Sequence, residues 1–455
     1  MNLKTEADYR GLSFWHDTVP DALDPRPALT GDLDVDVAIV GAGLTGLWTA
    51  WYLLDQQPTL RIAVLEKDIA GFGASGRNGG WCSALFPRST ASLERSHGRD
   101  AALAMRRAMI ATVDEVGAVA ASAGIDIDYA KGGTLAYARS GVQLAAAKAE
   151  VAEAAKYGVD SIELLAPRGA AGALGIAFDR NCARIHPAKL VRGLAHAVEK
   201  RGVVIYEQTE VLGFSPHAVT TPTGIVRCEK VVVATEGYGA SMRETHRQVL
   251  PLYSLMIATE PLPDATWDEL GIEHGHTVTD YRHLLVYGQR TADNRFAFGG
   301  RGARYHWGSA IRSQYDRVPA VFEHLRGTLR DMFPAIGDVA VTHAWGGPLG
   351  VPRDWHASAG FDPATGIATA GGYVGDGLST TNLAGRTLAD LMTGTDSELT
   401  RLPWANHRSP RWEPEPLRFL GANAGLVATT IADAEERITR RPSLAARLVG
   451  PLTGH

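Results

Sequence analysis

Residues Val35–Glu66 read VDVAIVGAGLTGLWTAWYLLDQQPTLRIAVLE, and this stretch decides the fold. Val35–Val40 is a short apolar run that predicts a buried strand. Gly41-Ala42-Gly43-Leu44-Thr45-Gly46 follows, then Leu47–Leu54 as a helix. Leu60–Leu65 predicts a second strand, and it ends on Glu66, twenty residues past Gly46. Strand, GxGxxG, helix, strand and acid, in that order, make the dinucleotide-binding fingerprint. Gly41 allows the tight turn, Gly43 lets backbone approach a pyrophosphate, and Gly46 lets helix and strand pack closely. The helix N-terminus, with Leu44 and Thr45, faces phosphate charge, and Glu66 accepts hydrogen bonds from ribose hydroxyls. The fingerprint does not separate NAD from FAD. Glu66 disfavours a 2′-phosphate, and hence NADP, whereas the adjacent Lys67 pulls the other way.

The composition is consistent with this reading. Glycine makes up 50 of the 455 residues, against about 7% in average usage. There is no G-X-Y period, and 45% of residues are apolar, so the chain is neither collagen-like nor disordered. The length predicts two or three domains. A formal charge of −5 without long like-charged blocks argues against nucleic acid or an anionic membrane as partner. Cys82, Cys182 and Cys228 show neither zinc spacing nor a disulfide framework, and a reduced, cytoplasmic setting is expected. The polar N-terminus does not read as a signal peptide. Val37–Leu54 carries no charge, but three glycines in its first ten residues argue against a membrane span.

A second glycine cluster follows Glu66. Gly71–Trp81 reads GFGASGRNGGW. Five glycines in ten residues suggest backbone lying against a large ligand, with Ser75, Arg77 and Asn78 as polar contacts. Residues 100–122 and Gln143–Tyr157 predict scaffold helices. Pro187 opens a helix over Ala188–Arg201, and Val203–Tyr206 predicts a strand. Lys230–Gly237 predicts a buried strand running into a turn, so the α/β pattern resumes and the nucleotide domain is discontinuous. Val278–Ala310, with strand-like Leu284–Tyr287 and Arg295–Phe298, predicts antiparallel sheet. Ile367–Gly394 predicts strand, glycine-rich turn and helix, with the helix over Leu378–Met392. That is a second helix N-terminus suited to partial negative charge. Only one GxGxxG with its acid is present. Beyond Arg411, a Pro-rich linker precedes a short helix with an apolar stripe of Leu426, Val427, Ile431 and Ile438.

Six segments resemble the glycine/D-amino-acid oxidase-like FAD-dependent oxidoreductases, the DAO superfamily, and most of all its γ-glutamylputrescine oxidoreductase-like branch. They are DVAIVGAGLTGLWTAWYLL, VLEKDIAGFGASGRNGGW, VVVATEGY, PLYSLMIATEPL, FGGRGARYHWGS and GGYVGDGLSTTNLAGRTLAD, within Trp15–Gly394. The resemblance implies an α/β, p-hydroxybenzoate-hydroxylase-like fold. In it a Rossmann-type FAD-binding domain (33–90, 180–250 and 340–395) is interwoven with an α+β substrate domain on a mainly antiparallel sheet (91–179 and 251–339). A linker and helical tail fill 396–455. By the same likeness Gly41, Gly43, Leu44, Thr45, Gly46, Glu66 and Lys67 hold the ADP half of FAD, and Val211 contacts adenine. Gly73, Ala74, Ser75, Arg77, Asn78, Gly79, Gly80 and Trp81 lie along pyrophosphate and flavin. Ala234, Thr235, Gly237, Gly347, Gly372, Gly375, Gly377, Leu378, Ser379 and Thr380 complete the cofactor set. The flavin-linking Cys and His positions of relatives have no match here, so FAD is expected to be non-covalent. Sarcosine-oxidase relatives carry a Lys where Ser379 stands and another near Ala297. Their loss argues against an α-carboxylate substrate and against fast oxidase chemistry.

The resemblance implies hydride removal from the carbon beside an amine nitrogen, with the imine then hydrolysed to aldehyde and amine. The cofactor carries that chemistry. O2 or another acceptor reoxidises it. A dry aromatic site favours the neutral amine. Candidates are Tyr253, Arg282, His283, Arg301, His306 and Trp345, with Tyr281, Tyr305 and Trp307 beside them. Arg301 or Arg282 suits a carboxylate distant from the reacting amine. Alternatives are an amino-acid oxidase or dehydrogenase (glycine, sarcosine or a D-amino acid) and a non-catalytic FAD-holding subunit. No metal is expected, and an oligomer is compatible with the sequence.

Overall fold

Val37–Val40 is buried at every position and lies inside a six-stranded sheet. The computed structural model describes residues 4–159 and 162–449, so the final residues of the predicted tail, 450–455, lie outside the described residues. The sheet order is Ser358–Asp362, Ile367–Gly371, Lys230–Val233, Val37–Val40, Ile62–Leu65, Val204–Tyr206. All neighbours are parallel except Ser358–Asp362 with Ile367–Gly371. The strands are apolar on both faces because both faces are covered. Val37, Ile39, Ile62, Val64 and Val232 face the helix layer, packing with Leu47, Leu190, Leu383 and Leu388. Ala38, Val40, Leu65, Val231 and Val233 face the opposite way, onto Val219 and Val226 of a small four-stranded sheet.

Three helices dominate the helix layer: Leu44–Gln56, Pro187–Lys200 and Gly377–Thr393. The first and third pack side by side. A Cβ at Gly385 would lie 2.7 Å from the backbone carbon of Trp48, so only glycine permits this approach.

An eight-stranded sheet forms the second layer. Its order is Val341–Pro352, Val249–Thr259, Phe296–Gly300, Val286–Arg290, Thr277–Asp280, Thr134–Ala138, Gly175–Asp179, Ile162–Leu165. It is antiparallel throughout except for Thr134–Ala138 with Thr277–Asp280. Phe14, Trp15, Ile69, Ala188, Met256 and Trp345 form the core that joins the two sheets.

Two expectations shift. The strand expected over Leu284–Tyr287 lies at Val286–Arg290, because the Leu284 N–H donates to the Asp433 carboxylate instead of a ladder partner. The short tail helix is in fact a long one, Leu417–Thr439. It is anchored by polar contacts: Asp433 accepts from the His283 N–H, and Glu436 pairs with the His283 ring. Val427, Ile431 and Ile438 of its predicted apolar stripe are exposed, whereas Arg418 and Ala432 are buried.

Gly385→Val is expected to destabilise the fold by about 2–3 kcal/mol through overpacking against Trp48. Gly327 lies in helix Pro319–Met332 with nothing within 4 Å of its would-be Cβ. Gly327→Ala is therefore expected to stabilise by about 0.5–1 kcal/mol. Urea midpoints at unchanged m-value measure both.

Candidate active site

A cavity of about 550 Å³ opens at the carboxyl ends of the parallel strands. That edge is where open α/β sheets hold ligands. One part of its wall is Glu66, Lys67, Thr209 and Val211. Glu66 receives the Ala42 N–H on one carboxylate oxygen and the Asp68 N–H on the other, both at 2.9 Å. Burial outweighs these bonds and pushes its pKa up to about 7. The Lys67 ammonium is paired to Glu210, so its charge is already neutralised.

The wall continues through Gly41, Gly43, Leu44 and Thr45 to Gly73, Ala74, Ser75 and Asn78. The Leu44 N–H donates to Ser75 Oγ at 2.9 Å, and a Cβ on Gly43 would meet that same oxygen at 2.9 Å. Thr45 Oγ1 and the Tyr373 hydroxyl share a hydrogen bond of 2.9 Å. That bond carries the wall to Gly375, Gly377 and Leu378 at the start of helix Gly377–Thr393. Two helix N-termini therefore face one cavity. Ala234 and Thr235 line it from the end of strand Lys230–Val233.

Several expected residues stand behind the wall rather than in it. Gly46 packs beneath the Gly41 carbonyl. Arg77 is buried and turned inward, donating to Asp316 (2.7 Å), the Gly346 carbonyl (3.0 Å) and the Tyr238 hydroxyl (2.7 Å). Gly347 lies against that guanidinium. Gly79, Gly80 and Trp81 back onto the antiparallel sheet, where Gln289 donates to the Gly79 carbonyl and Trp81 Nε1 to that of Gly288. Gly237 packs on strand Val341–Pro352, and Gly372 on Pro352. The Ser379 hydroxyl donates to the Ser83 carbonyl, and the Thr380 hydroxyl to that of Asp376. Thr381 lines the cavity in their place, because residues three apart share a helix face and Leu378 already faces it.

Residues the sequence reading passed over also line the wall, among them Glu236, Tyr238, Tyr373, Ile311 and Leu349. One Glu236 oxygen accepts the Gly372 and Tyr373 N–H groups, each at 3.1 Å, and burial raises its pKa to about 7. Glu236 and Tyr238 were detectable, since they follow the end of a predicted parallel strand.

The substrate candidates separate. Tyr253 is buried, edge-on to both His306 and Tyr315, and His306 stacks on Tyr315 at 3.3 Å between ring centroids. Ile311, between His306 and Tyr315 in the chain, reaches the cavity wall. Arg301 donates to the Val374 carbonyl at 2.7 Å, against the late glycine turn. Trp345 is buried, its Nε1 donating to the Arg77 carbonyl at 2.9 Å. Arg282 and His283 lie elsewhere, paired with Asp280 and with Glu436 of the tail helix. Tyr281 donates to Glu150, Tyr305 to Glu415, and Trp307 is exposed. Among the described residues no cluster of three or more His, Cys, Asp and Glu suits a metal, and no helix is long and apolar enough to cross a membrane.

A parallel sheet feeding two helix N-termini into one cavity, beneath an antiparallel sheet, defines a dinucleotide-dependent oxidoreductase. The chain belongs to the DAO family of FAD dependent oxidoreductases, whose signature matches residues 36–391. It is 31% identical to γ-glutamylputrescine oxidoreductase of Escherichia coli over 382 residues, 81% of this chain and 86% of that one. It is 30% identical to the probable oxidoreductase OrdL of Haemophilus influenzae over 391 residues, 82% of this chain and 86% of that one. Glycine oxidase from Geobacillus kaustophilus shares the fold, with a TM-score of 0.70 at 22% identity, covering 83% of this chain and all of that one. FAD is the cofactor of the family. The residues present fit it, with a glycine cradle at Gly43, a carboxylate at Glu66 and a second helix N-terminus at Gly377. Cys82, Cys182 and Cys228 lie outside the cavity wall.

An ionised Glu66 accepts hydrogen bonds that a protonated one does not. If Glu66 holds the ribose as expected, FAD binding at pH values below about 7 should release a proton. FAD affinity of the ligand-free chain should rise with pH up to about 7 and level off above it. Glu66→Gln should remove that slope and weaken binding by about tenfold. Flavin titration across the pH range checks this.

Proposed function

We propose that this enzyme oxidises an amine at the carbon beside its nitrogen, and that the substrate carries a carboxylate some distance away. Arg301 is the observation that carries this reading. It ends strand Phe296–Gly300, lies against the turn that walls the cavity, and makes no ion pair among the described residues. Its guanidinium stands 5.5 Å over the Trp355 ring. Such a cation suits a bidentate carboxylate. A γ-glutamyl group on a polyamine, as in the name of the Escherichia coli relative, has this layout.

Bound FAD supplies the hydride acceptor. The protein's part is to hold, orient and dry the amine. Tyr253, His306 and Tyr315 form an aromatic group beside Ile311 of the wall, and such surroundings favour a neutral amine over an ammonium. Burial lowers the His306 pKa as well, so this ring adds no positive charge beside the amine at neutral pH. The N-terminus of helix Gly377–Thr393 presents partial positive charge at the Gly375–Leu378 edge, where negative charge developing in the cavity is stabilised. FAD held by the glycine cradle needs no covalent link. Ala297 is fully buried near Met256 and Trp345, which supports slow reaction with O2 and leaves room for another acceptor. The three free, buried cysteines support a reducing, cytoplasmic setting.

Anaerobic mixing with an amine panel tests the reading. γ-Glutamylputrescine should bleach the flavin, and glycine and sarcosine should not; the reverse order would overturn it. Arg301→Ala should raise KM for γ-glutamylputrescine by about tenfold or more while changing that for putrescine little. Arg282→Ala, removing a residue already paired with Asp280, should leave both KM values unchanged.

A further inference from the structure

A second cavity, of about 340 Å³, lies on the far side of the glycine segment 71–81 from the first and shares no lining residue with it. Phe14 and Trp15 give it an aromatic wall; Arg184, Lys189, Gln289 and Asp293 give it polar ones. Two acids and two bases line it, but they do not all pair with one another. Lys189 is paired to Asp128 at 2.7 Å, and Asp293 to Arg295 at 2.7 Å. His186 is neutral, since burial takes its pKa to about 3. Its Nδ1 accepts the Lys189 N–H, so the ring proton sits on Nε2, toward Thr18. Arg184 is left over. It is only 6% exposed, it makes no ion pair among the described residues, and its one hydrogen bond from the side chain runs to the Asp128 carbonyl. Its Nε has no partner.

Asp128 and Asp293 act on this guanidinium only through space, each being paired elsewhere, so its buried N–H groups lack an anionic acceptor and an anion bonded to them would relieve that cost. Gln289 adds a second demand. It is 1% exposed, its amide nitrogen donates to the Gly79 carbonyl, and its Oε1 has no partner. A ligand completing both groups brings a carboxylate for Arg184 and an O–H or N–H donor for Gln289, on an apolar body that lies against Trp15.

The geometry points to a second small-molecule site here, for an aromatic or similarly apolar carboxylic acid bearing a hydrogen-bond donor. The site adjoins the large cavity through one peptide segment. Trp15 Nε1 donates to the Asn78 carbonyl at 2.7 Å, and Asn78 itself lines the large cavity. Gln289 grips the next residue, Gly79. A ligand held by Trp15 and Gln289 therefore braces the wall of the flavin cavity from behind.

Calorimetric titration of the FAD-loaded enzyme with para-hydroxyphenylacetate, and with tyrosol as the analogue lacking a carboxylate, tests the site. The acid should bind saturably at millimolar concentrations or below, and tyrosol at least about tenfold more weakly. Arg184→Gln should weaken binding of the acid by about tenfold or more, while Arg301→Ala should leave it unchanged. Ala292→Trp, on an exposed turn at the cavity rim, should block binding without touching Arg184, which covers a failure of Arg184→Gln to fold. The proposal is overturned if the acid shows no saturable binding or if tyrosol binds equally well. It is also overturned if binding survives Arg184→Gln and Ala292→Trp, or if it is lost in Arg301→Ala, which would place the acid in the large cavity.

Discussion

The contact between helices Leu44–Gln56 and Gly377–Thr393 is the constraint on which the rest of the structure depends. The two helices start in segments more than 300 residues apart, yet both N-termini must face one cavity. Gly385 lets the second helix lie directly on the Trp48 backbone, and the Thr45–Tyr373 hydrogen bond ties the two entrances together. Each N-terminus leaves backbone N–H groups unpaired within its own helix. Bringing two of them to one place concentrates positive partial charge where a pyrophosphate and a redox ring are to sit.

The second structural device is the segment 71–81, a partition between two cavities. Arg77 holds it from within, spending its guanidinium on Asp316, the Gly346 carbonyl and Tyr238. A buried pair of this kind is weak evidence for net stability, but removing one partner costs about 3–5 kcal/mol. Its effect is on position. It fixes the distance between the glycine segment, which carries Ser75 and Asn78, and strand Val341–Pro352 of the antiparallel sheet. Gln289 and Trp81 fasten the other end of the segment to strand Val286–Arg290. Gly79 and Gly80 are thus explained by close backbone approach to the second sheet, as well as by the ligand-facing segment in which they lie.

About half of the cavity wall was legible in the sequence, because glycine spacing, strand ends and helix starts are local signals. Gly41, Gly43, Leu44, Thr45, Glu66, Gly73 to Ser75, Ala234, Gly375, Gly377 and Leu378 all line it. The Ser379 and Thr380 hydroxyls turn to the Ser83 and Asp376 carbonyls, and the helical period brings Leu378 and Thr381 to the wall. Arg77 turns away from the cavity wall for a different reason. A sequence places an arginine near a ligand segment, but Asp316, 239 positions away, decides which way its side chain turns. Arg282 and His283 likewise looked free until Asp280 and Glu436 were found beside them. The tail helix was underestimated because its anchors, Asp433 and Glu436, bind residues of a distant strand entry and no local pattern records that.

By itself the sequence determined the class of protein, since strand, glycine turn, helix and acid are set by neighbours within a few residues, and backbone conformation there follows from local sterics. It also led to the expectation that one long ligand meets backbone at three glycine-rich places. Only the tertiary structure decided which polar groups remain available. Arg77 and Lys67 are consumed by partners far along the chain and Arg282 by Asp280 two residues away, whereas Arg301 and Arg184 make no ion pair among the described residues. The physical reason is that a charge is free or spent according to what folding packs against it, and that packing is long-range.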